Sequence, residues 1–313
     1  IDETEWGPRL GVRWWRFGAG VLLGMACATK WSGLYFVLFF GLMSVAMDVV
    51  ARRQYRVPRP WLGALRRDVG PALYALVLIP FGVYLASYSM WFASETGVDR
   101  YEVGHTIGPR AWYQPPDAIR SLWHYTAKAY DFHSGLTNSA GNHHPWESKP
   151  WLWPMSLRPV LYAIDQQNVA GCGAQSCVKA VMLVGTPAMW WLAVPVLLYG
   201  AWRAVVRRDW RYAVVLVGYG AGWLPWFGDI DRQMYFFYAV AMAPFLVMAI
   251  ALICGDILYR PGQGAERRTL GMLAVSFYVA LVITNFVWLF PVLTGMPISQ
   301  QMWNMEIWLP SWR

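Results

Sequence analysis

The sequence predicts an all-α polytopic membrane protein, and three observations support this fold class. The 313 residues are 57% hydrophobic and only 14% charged, whereas soluble globular proteins carry about 25% charged residues. Apolar runs recur along the chain, most of them close to the ~20 residues that an α-helix needs to cross a bilayer. Arginines collect between alternate runs, as the positive-inside rule predicts for a multi-pass membrane protein.

Seven apolar segments are predicted to span the membrane, of which the first is short: 17–29, 32–50, 71–92, 186–205, 212–227, 234–258 and 270–293. Sixteen of the 26 Lys and Arg residues lie before the first segment or in alternate connections. This distribution predicts a plasma-membrane protein with a cytoplasmic N-terminus and an extracytoplasmic C-terminus. The net charge of +8 is therefore attributed to membrane topology, and no nucleic-acid partner is expected.

The predicted organisation has three regions. Residues 1–92 carry three spans, 93–185 form a long extracytoplasmic loop, and 186–313 carry four spans and an extracytoplasmic aromatic tail. Within the loop, the apolar residues of segment 116–130 lie on one helical face, which predicts an amphipathic helix in the membrane interface. Cys172 and Cys177 are a candidate disulfide if this loop is outside the cell. A zinc site is less well supported, because further cysteine ligands are absent.

The most unusual stretch of the sequence is 131–154, which is rich in aromatic, proline and histidine residues. All five histidines of the chain lie in the long loop. His133, His143 and His144 suit acid–base work or donation to a phosphate, and no metal is expected because no metal-binding spacing is present. The stretch also offers flat faces for stacking on a sugar, although membrane-interface anchoring explains them equally well: Trp146, Trp151 and Trp153.

Two cations at the predicted outer ends of spans are candidates for binding a phosphate carried by a lipid. Lys30 lies between two apolar runs, where a lysine costs roughly 2.5 kcal/mol or more unless it snorkels or pairs. Arg232 precedes the span 234–258, and arginine is a good bidentate partner for phosphate. The alternative structural interpretations are that Lys30 snorkels to the interface and that Arg232 pairs with Asp229 or Asp231.

Three motifs in order along the chain resemble those of bacterial protein O-mannosyltransferases, particularly actinobacterial members. FHSGL (132–136) followed by HPWESKPWLWP (144–154) resembles the family's HP-aromatic-x-S…W-x-WP signature. ATKWSG (28–33) is similar to its Lys-Trp segment, and RQMYFFYAVAMAPF (232–245) is similar to its Arg…Tyr…Pro-Phe segment. The resemblance implies that the chain is the C-terminal part of such an enzyme, with a multi-span C-type glycosyltransferase fold.

The resemblance also implies an activity and its partners. Mannose would pass from polyprenyl-phosphate-mannose to Ser or Thr hydroxyls of exported proteins, with the active site on the extracytoplasmic face. The expected partners are the lipid-linked donor, an unfolded or translocating acceptor protein, membrane lipids and, as a further expectation, the secretion machinery. The catalytic residues are left unassigned, because the family's Asp–Glu pair is expected upstream of this chain. Asp2 and Glu3 are on the predicted cytoplasmic side and are not that pair.

Residue chemistry and the resemblance together assign two groups of site residues. The donor phosphate group is Lys30, Arg232, Gln233, Tyr235 and Tyr238. The sugar or acceptor pocket is His133, His144, Pro145, Ser148, Trp151 and Trp153. The lipid-linked donor is the only cofactor expected, and a divalent metal has no support in the sequence.

The sequence is compatible with two alternative functions. The first is a polyprenyl-phosphate-sugar-dependent transferase that acts on a glycan or a lipid, whose donor site would look alike. The second is a membrane transporter, which should place ionisable residues in mid-span and show paired broken helices or internal repeats. The predicted spans are nearly free of charge at their centres, which disfavours the transporter.

Overall fold

The computed structural model describes residues 5–9, 13–141, 143–167, 169–259, 262 and 264–313, and it shows a mostly helical protein. Asp2, Glu3 and Arg260 lie outside the described residues. The chain divides into two compact units: unit 1 is Ile1–Ala140 and unit 2 is Gly141–Arg313. The division falls inside the predicted loop 93–185, so this segment contributes residues to both units.

Unit 1 is helical wherever the structure describes regular elements. Its α-helices are α1 (Trp14–Thr29), α2 (Gly33–Gln54), α3 (Pro60–Arg67), α4 (Val69–Leu73), α5 (Ile79–Ser87), α6 (Ser89–Ala93) and α7 (Asp117–Ser134). A π-helical turn, Tyr74–Leu78, connects α4 to α5. The segment predicted as an amphipathic helix over 116–130 corresponds to α7, which extends four residues further. His133 therefore lies in the last turn of this helix rather than in a loop.

Close packing of α1 on its neighbours depends on glycine. A Cβ atom at Gly20 would lie 1.9 Å from the backbone oxygen of Ala75, and one at Gly24 would lie 2.8 Å from that of Pro80. Small residues let helix backbones approach closely where lipid tails offer no hydrophobic driving force for association. This contact fixes α1 against the π-helical turn and α5, and it positions both ends of α1.

A buried ion-pair network joins α2 to the connection between α3 and α4. Arg52 donates from Nε and Nη2 to the two oxygens of Asp68, at 2.8 and 3.1 Å. Arg16 binds Asp48 at 2.8 Å, and Arg13 binds the other oxygen of Asp48. Both carboxylates and Arg52 are buried. Buried charges need partners of opposite sign and satisfied hydrogen bonds, so these arginines stabilise unit 1.

Unit 2 combines helices with a small sheet. Its α-helices are α8 (Pro187–Trp190), α9 (Ala193–Val205), α10 (Trp210–Trp223), α11 (Ala243–Leu258), α12 (Ala265–Thr294) and α13 (Gln300–Glu306), and its strands are β1 (Val160–Asp165), β2 (Cys177–Leu183) and β3 (Pro297–Ser299). Short 3-10 helices cover Pro150–Leu152, Leu224–Gly228, Phe236–Met242 and Pro310–Trp312. Gly295 ends α12 at φ +72°, the left-handed conformation that glycine adopts at helix C-termini.

The sheet corrects the prediction of an all-α protein. The strands form an antiparallel sheet in the order β1-β2-β3, with Val160 opposite Leu183 and Cys177 opposite Ser299. Strands of three to seven residues carry too little periodic pattern to be separated from loop. β3 also comes from the aromatic tail, so its pairing with β2 joins distant parts of the chain. Cys172 forms a disulfide with Cys177, the first residue of β2, and their Cα atoms are 5.8 Å apart.

Five helices of the described chain are long and apolar enough to cross a membrane: Gly33–Gln54, Val69–Ser87, Pro187–Val205, Phe236–Leu258 and Ala265–Thr294. The other two predicted spans correspond to α1 and α10, of 16 and 14 residues, shorter than the ~20 residues that a full crossing needs. A multi-pass membrane protein is therefore supported, while the count of seven spans stays a prediction.

Candidate functional site

Lys30 lies at the C-terminal end of α1, where its side chain is exposed. Its backbone N–H still donates to Ala26 in α1, and the next residue turns the chain towards α2. The Trp31 indole donates to the hydroxyl of Tyr84 at 3.1 Å, and the Tyr84 hydroxyl lies 3.1 Å from that of Tyr88. Lys30 therefore directly precedes a tryptophan held in place by α5.

Trp31 and Tyr84 also line a cavity of about 540 Å³ in unit 1, called the apolar cavity below. α7 contributes Trp123, Thr126, Ala127, Tyr130 and Asp131 to its wall, and the other lining residues are Cys27, Leu34, Val37, Val77, Pro80 and Phe81. Asp131 is the single charged residue among them. A cavity with such a lining binds an apolar chain better than a polar solute, because apolar surface is removed from water on binding.

In unit 2, the histidine- and tryptophan-rich residues 143–154, called the His–Trp turn, pack against residues 229–238, called the Arg–Tyr segment. The backbone N–H of Ser148 donates to the carbonyl of Met234 at 2.8 Å. Lys149 donates from Nζ to the carbonyls of Ile230 and Arg232, at 2.9 and 3.0 Å. These three bonds bring together two motifs that lie about 80 residues apart in the sequence.

Lys149 also pairs with Glu147, whose Oε1 lies 2.6 Å from its Nζ. Both side chains are partly buried, at 21% and 14% exposure, so screening by water is reduced and the pair fixes the turn more strongly than a surface ion pair does. The Lys149 ammonium thus holds the backbone that precedes Tyr235. Sequence reasoning did not select Lys149, and it offered Glu147 only as one of several available carboxylate bases whose role the sequence does not fix. The available signal was a Glu-x-Lys pair inside an otherwise aromatic and proline-rich motif.

A fully buried tryptophan anchors the His–Trp turn. The Trp153 indole donates to the buried Ser148 hydroxyl at 3.0 Å, and its ring lies 6.0 Å from Trp226 and 5.9 Å from Tyr238. Trp226 and Tyr238 stack on each other at 4.5 Å. Ser148 and Trp153 are 2% and 0% exposed, so in this arrangement they position the turn and have no face open to a sugar.

Three other residues assigned to the sugar or acceptor pocket are exposed. They are His144, Pro145 and Trp151. The His144 ring meets the Tyr235 ring edge to face at 5.4 Å, and its Nδ1 accepts the backbone N–H of Trp146 at 3.1 Å. When the imidazole is neutral, Nε2 therefore carries the proton and is the nitrogen that can donate to a substrate oxygen.

The candidate side chains of the Arg–Tyr segment are partly buried. Arg232, Gln233, Tyr235 and Tyr238 are all of intermediate exposure. The Tyr235 hydroxyl can both donate and accept a hydrogen bond.

The structure thus groups most of the assigned residues in unit 2, while Lys30 and His133 belong to unit 1. His133 is exposed and meets the Phe132 ring at 5.4 Å. Among the described residues, no group of three or more His, Cys, Asp or Glu side chains could hold a metal ion. The grouping in unit 2 offers an imidazole, a guanidinium, phenolic hydroxyls and an exposed indole, a combination suited to a sugar phosphate.

A family profile matches most of the chain. The profile described as the C-terminal four TMM region of protein-O-mannosyltransferase covers residues 118–312, which include both the His–Trp turn and the Arg–Tyr segment. In the yeast structure described as the S. cerevisiae protein O-mannosyltransferase Pmt1-Pmt2 complex bound to the sugar donor, one chain is 20% identical with a TM-score of 0.50. The match covers 65% of this chain and 28% of that chain, and it shows a shared fold over this part.

Curated relatives match over the full length of the chain. Three proteins are each named polyprenol-phosphate-mannose--protein mannosyltransferase. The one from Mycobacterium tuberculosis (strain ATCC 25618 / H37Rv) is 78% identical over 99% of this chain and 59% of its own length. The one from Mycolicibacterium smegmatis (strain MKD8) is 76% identical over 100% and 61%, and the one from Corynebacterium glutamicum is 44% identical over 99% and 60%. The chain therefore spans about 60% of the length of these relatives.

Proposed function

Because the chain belongs to the protein O-mannosyltransferase family, we propose that it acts in the transfer of mannose from polyprenyl-phosphate-mannose to Ser or Thr hydroxyls of exported proteins. The observation that carries this proposal is the 76–78% identity to mycobacterial relatives named for that reaction, over 99–100% of the chain. The proposal includes a C-type glycosyltransferase fold with seven spans in the plasma membrane and a reaction site on the extracytoplasmic face.

The apolar cavity of unit 1 is the proposed site of the donor's polyprenyl chain. Its lining is almost entirely hydrocarbon and aromatic, as binding to an isoprenoid requires. The amphipathic helix α7 forms one wall, and we propose that it lies in the membrane interface, where a lipid can enter sideways. Lys30 directly precedes Trp31 of this wall, which suits a cation placed at the depth of a lipid headgroup.

The donor phosphate is the leaving group, and its negative charge grows as the bond to mannose breaks. We propose that Arg232 stabilises this charge, with Gln233, Tyr235 and Tyr238 donating hydrogen bonds, and that Lys30 is a separate candidate cation for a lipid phosphate. Preorganised donors directed at developing charge are worth more in a site that excludes water than in bulk water. Arginine adds the bidentate geometry that a phosphate accepts. Lys149 supports this group through its two bonds to the backbone at Ile230 and Arg232.

The mannosyl group and the acceptor hydroxyl are proposed to lie near the exposed part of the His–Trp turn. His144 would donate from Nε2 to a sugar or acceptor oxygen, and Trp151 offers an exposed indole face for stacking on the sugar. Pro145 shapes the backbone between them. His133, in unit 1, is proposed as a separate candidate for contact with the sugar or the acceptor. The buried Ser148 and Trp153 act as positioning residues.

The test uses membranes that contain the complete natural polypeptide. Radiolabelled polyprenyl-phosphate-mannose and a Ser/Thr-rich peptide are supplied, and label on the peptide is measured. Arg232→Ala and Lys30→Ala are each expected to lower the rate by about 10²- to 10³-fold, the usual cost of removing one electrostatic stabiliser of the transition state. Lys179→Ala, which removes an exposed cation from β2, is the matched control and is expected to retain full activity.

Each outcome has a defined meaning. Label that appears only on a glycan or a lipid would replace the proposal by the alternative acceptor class. Absence of transfer by membranes of the unaltered protein would contradict the proposed reaction altogether. If Lys179→Ala lowered the rate as much as Arg232→Ala, the assigned phosphate contacts would be wrong. The proposed secretion-machinery partner is tested separately, by crosslinking during export of a labelled acceptor.

A further inference from the structure

A second cavity of unit 1 lies at the N-terminal end of α1 and has a volume of about 450 Å³. Five arginine side chains line it: Arg9, Arg13, Arg16, Arg66 and Arg67. Asp68 is the one carboxylate among the described lining residues. Guanidinium groups gathered around one space repel each other unless an anion lies between them. We propose that this basic cavity binds the phosphate headgroup of an anionic membrane phospholipid.

The acidic groups next to the basic cavity already have arginine partners. Asp68 accepts hydrogen bonds on both oxygens from Arg52, and Asp48 is bound by Arg13 and Arg16. Within the described residues, Arg13, Arg16 and Arg52 share these two carboxylates, and Arg9 and Arg66 add two further guanidinium groups to the cavity. The local charge is therefore positive, and it draws an anion from outside the protein.

The remaining lining distinguishes a phospholipid from free phosphate. Phe17 and Pro71 face the cavity together with Tyr74 and Ala75, so one side of it is apolar and aromatic. The last three belong to the first turns of the candidate span Val69–Ser87, which places the cavity at the boundary of the hydrocarbon region. A phospholipid offers both a phosphate for the arginines and an acyl chain for the apolar side, whereas inorganic phosphate offers only the first.

The surroundings of the cavity fit a lipid headgroup. Trp14 and Trp15 begin α1 and are 73% and 94% exposed, as is usual for tryptophans at a membrane surface. The arginine pattern of the sequence predicts that this end of α1 faces the cytoplasm, where anionic lipids attract basic segments. The basic cavity shares no lining residue with the apolar cavity. The inference is therefore independent of the proposed mannose transfer.

The experiment compares two double variants of the complete natural polypeptide in nanodiscs of phosphatidylcholine with a minor fraction of phosphatidylglycerol. Arg9→Gln with Arg66→Gln removes two exposed arginines of the cavity. Arg53→Gln with Arg56→Gln removes the same charge from exposed arginines outside it. The pairs are matched further, because Arg66 lies 4.3 Å over the Trp6 ring and Arg53 lies 5.2 Å over the Trp61 ring.

The readout is the ratio of phosphatidylglycerol to phosphatidylcholine that stays bound after transfer to detergent, measured by mass spectrometry of the lipids. The unaltered protein is expected to enrich phosphatidylglycerol over its bulk fraction. The cavity variant is expected to lose about tenfold in affinity for this lipid, and the control variant less than about twofold. Thermal unfolding without anionic lipid checks that both variants fold.

Three results would overturn the proposal. The first is an unaltered protein that retains phosphatidylglycerol only at its bulk fraction, a result that does not depend on the folding of any variant. The second is an equal loss in both double variants, which would indicate general attraction between a basic surface and anionic lipid. The third is stabilisation of the detergent-purified protein by inorganic phosphate to the same extent as by a short-chain phosphatidylglycerol, which would indicate a site for free phosphate.

Discussion

The two cavities of unit 1 lie at opposite ends of one helix, α1, and have opposite chemistry. The apolar cavity begins at Cys27, near the C-terminal end, and has Asp131 as its single charged lining residue. The basic cavity begins at Arg16 and Phe17, near the N-terminal end, and is lined by five arginines. On α1, residues 18–26 thus separate a space suited to a hydrocarbon chain from a space suited to an anion.

The two ends of α1 differ in how their polar groups find partners. At the basic end, each buried carboxylate is bound by arginine, and the ion pairs form part of the helix packing. At the apolar end, hydroxyl and indole groups bind one another, as in the Trp31–Tyr84 hydrogen bond. A charge without a partner is costly in either place. Substitutions that add or remove a single charge should therefore change stability or binding differently at the two ends.

The largest effect is expected at Arg52, whose removal breaks the buried network beneath the basic cavity. Arg52→Met leaves Asp68 buried without its two hydrogen bonds, and this should lower the free energy of unfolding by about 3–5 kcal/mol. Unfolding in detergent, followed by circular dichroism, measures the change. Arg53→Met is the control, because Arg53 is the exposed neighbour on the same helix and should change stability by less than about 0.5 kcal/mol. Similar losses in both variants would contradict a structural role for the Arg52–Asp68 pair.

A buried carboxylate in unit 2 lacks the partner that Asp68 has, and it should make stability depend on pH. Glu306 is fully buried, and neither of its oxygens accepts a hydrogen bond within the described chain. Burial raises its pKa to about 7. Because the folded state holds this proton more tightly than the unfolded state, stability is greatest below the unfolded pKa of about 4.3 and falls as the pH rises towards 7.

Glu306→Gln should remove this dependence. Between pH 5 and pH 8, the stability of the unaltered protein should fall relative to that of the variant by up to about 3 kcal/mol. Thermal unfolding at several pH values measures the difference. Glu266→Gln, at an exposed position in α12, should follow the unaltered protein at every pH. A variant that kept the full pH dependence would show that another group is responsible.

The smallest of the three effects concerns the apolar cavity. Ala127→Asp places a second carboxylate in its wall, and desolvating this charge should weaken binding of a polyprenyl phosphate by about tenfold, the equivalent of roughly 1.4 kcal/mol. Ala129→Asp puts the same charge on the same helix outside the lining residues and should bind as before. Binding of a fluorescent polyprenyl phosphate in detergent measures both. Equal affinities for the two variants would contradict the proposal that the polyprenyl chain binds in the apolar cavity.

The sequence predicted the helical membrane part of the fold well, because apolar runs of sufficient length leave few other structures in a bilayer. In the part of the chain that the structure describes, all five helices that are long and apolar enough to cross a membrane correspond to predicted spans. The sheet was missed because β3 comes from the aromatic tail and pairs with β2 across α8 to α12. Such pairing depends on contacts between distant residues, which a local pattern does not contain.

The candidate site was also only partly predictable from the sequence. The motifs predicted His144, Arg232 and Tyr235 as site residues, but they did not indicate that Lys149 joins the two motifs through backbone carbonyls. It also grouped Trp153 with the exposed Trp151, although the first is completely buried and the second is 53% exposed. Neighbouring tryptophans of one motif are equivalent in sequence, and only packing against Trp226 and Tyr238 distinguishes the buried Trp153 from the exposed Trp151.

The sequence by itself determined that this chain is a helical membrane protein of the O-mannosyltransferase family, since hydropathy, arginine distribution and motif order are all local properties. Only the tertiary structure decided that Arg52 is a buried partner of Asp68, and that Arg13 and Arg16 bind Asp48 and also line an open cavity. It also decided that the aromatic tail completes a sheet. The physical reason is that burial and pairing depend on distances between residues far apart in the chain, and these distances are fixed only when the helices pack.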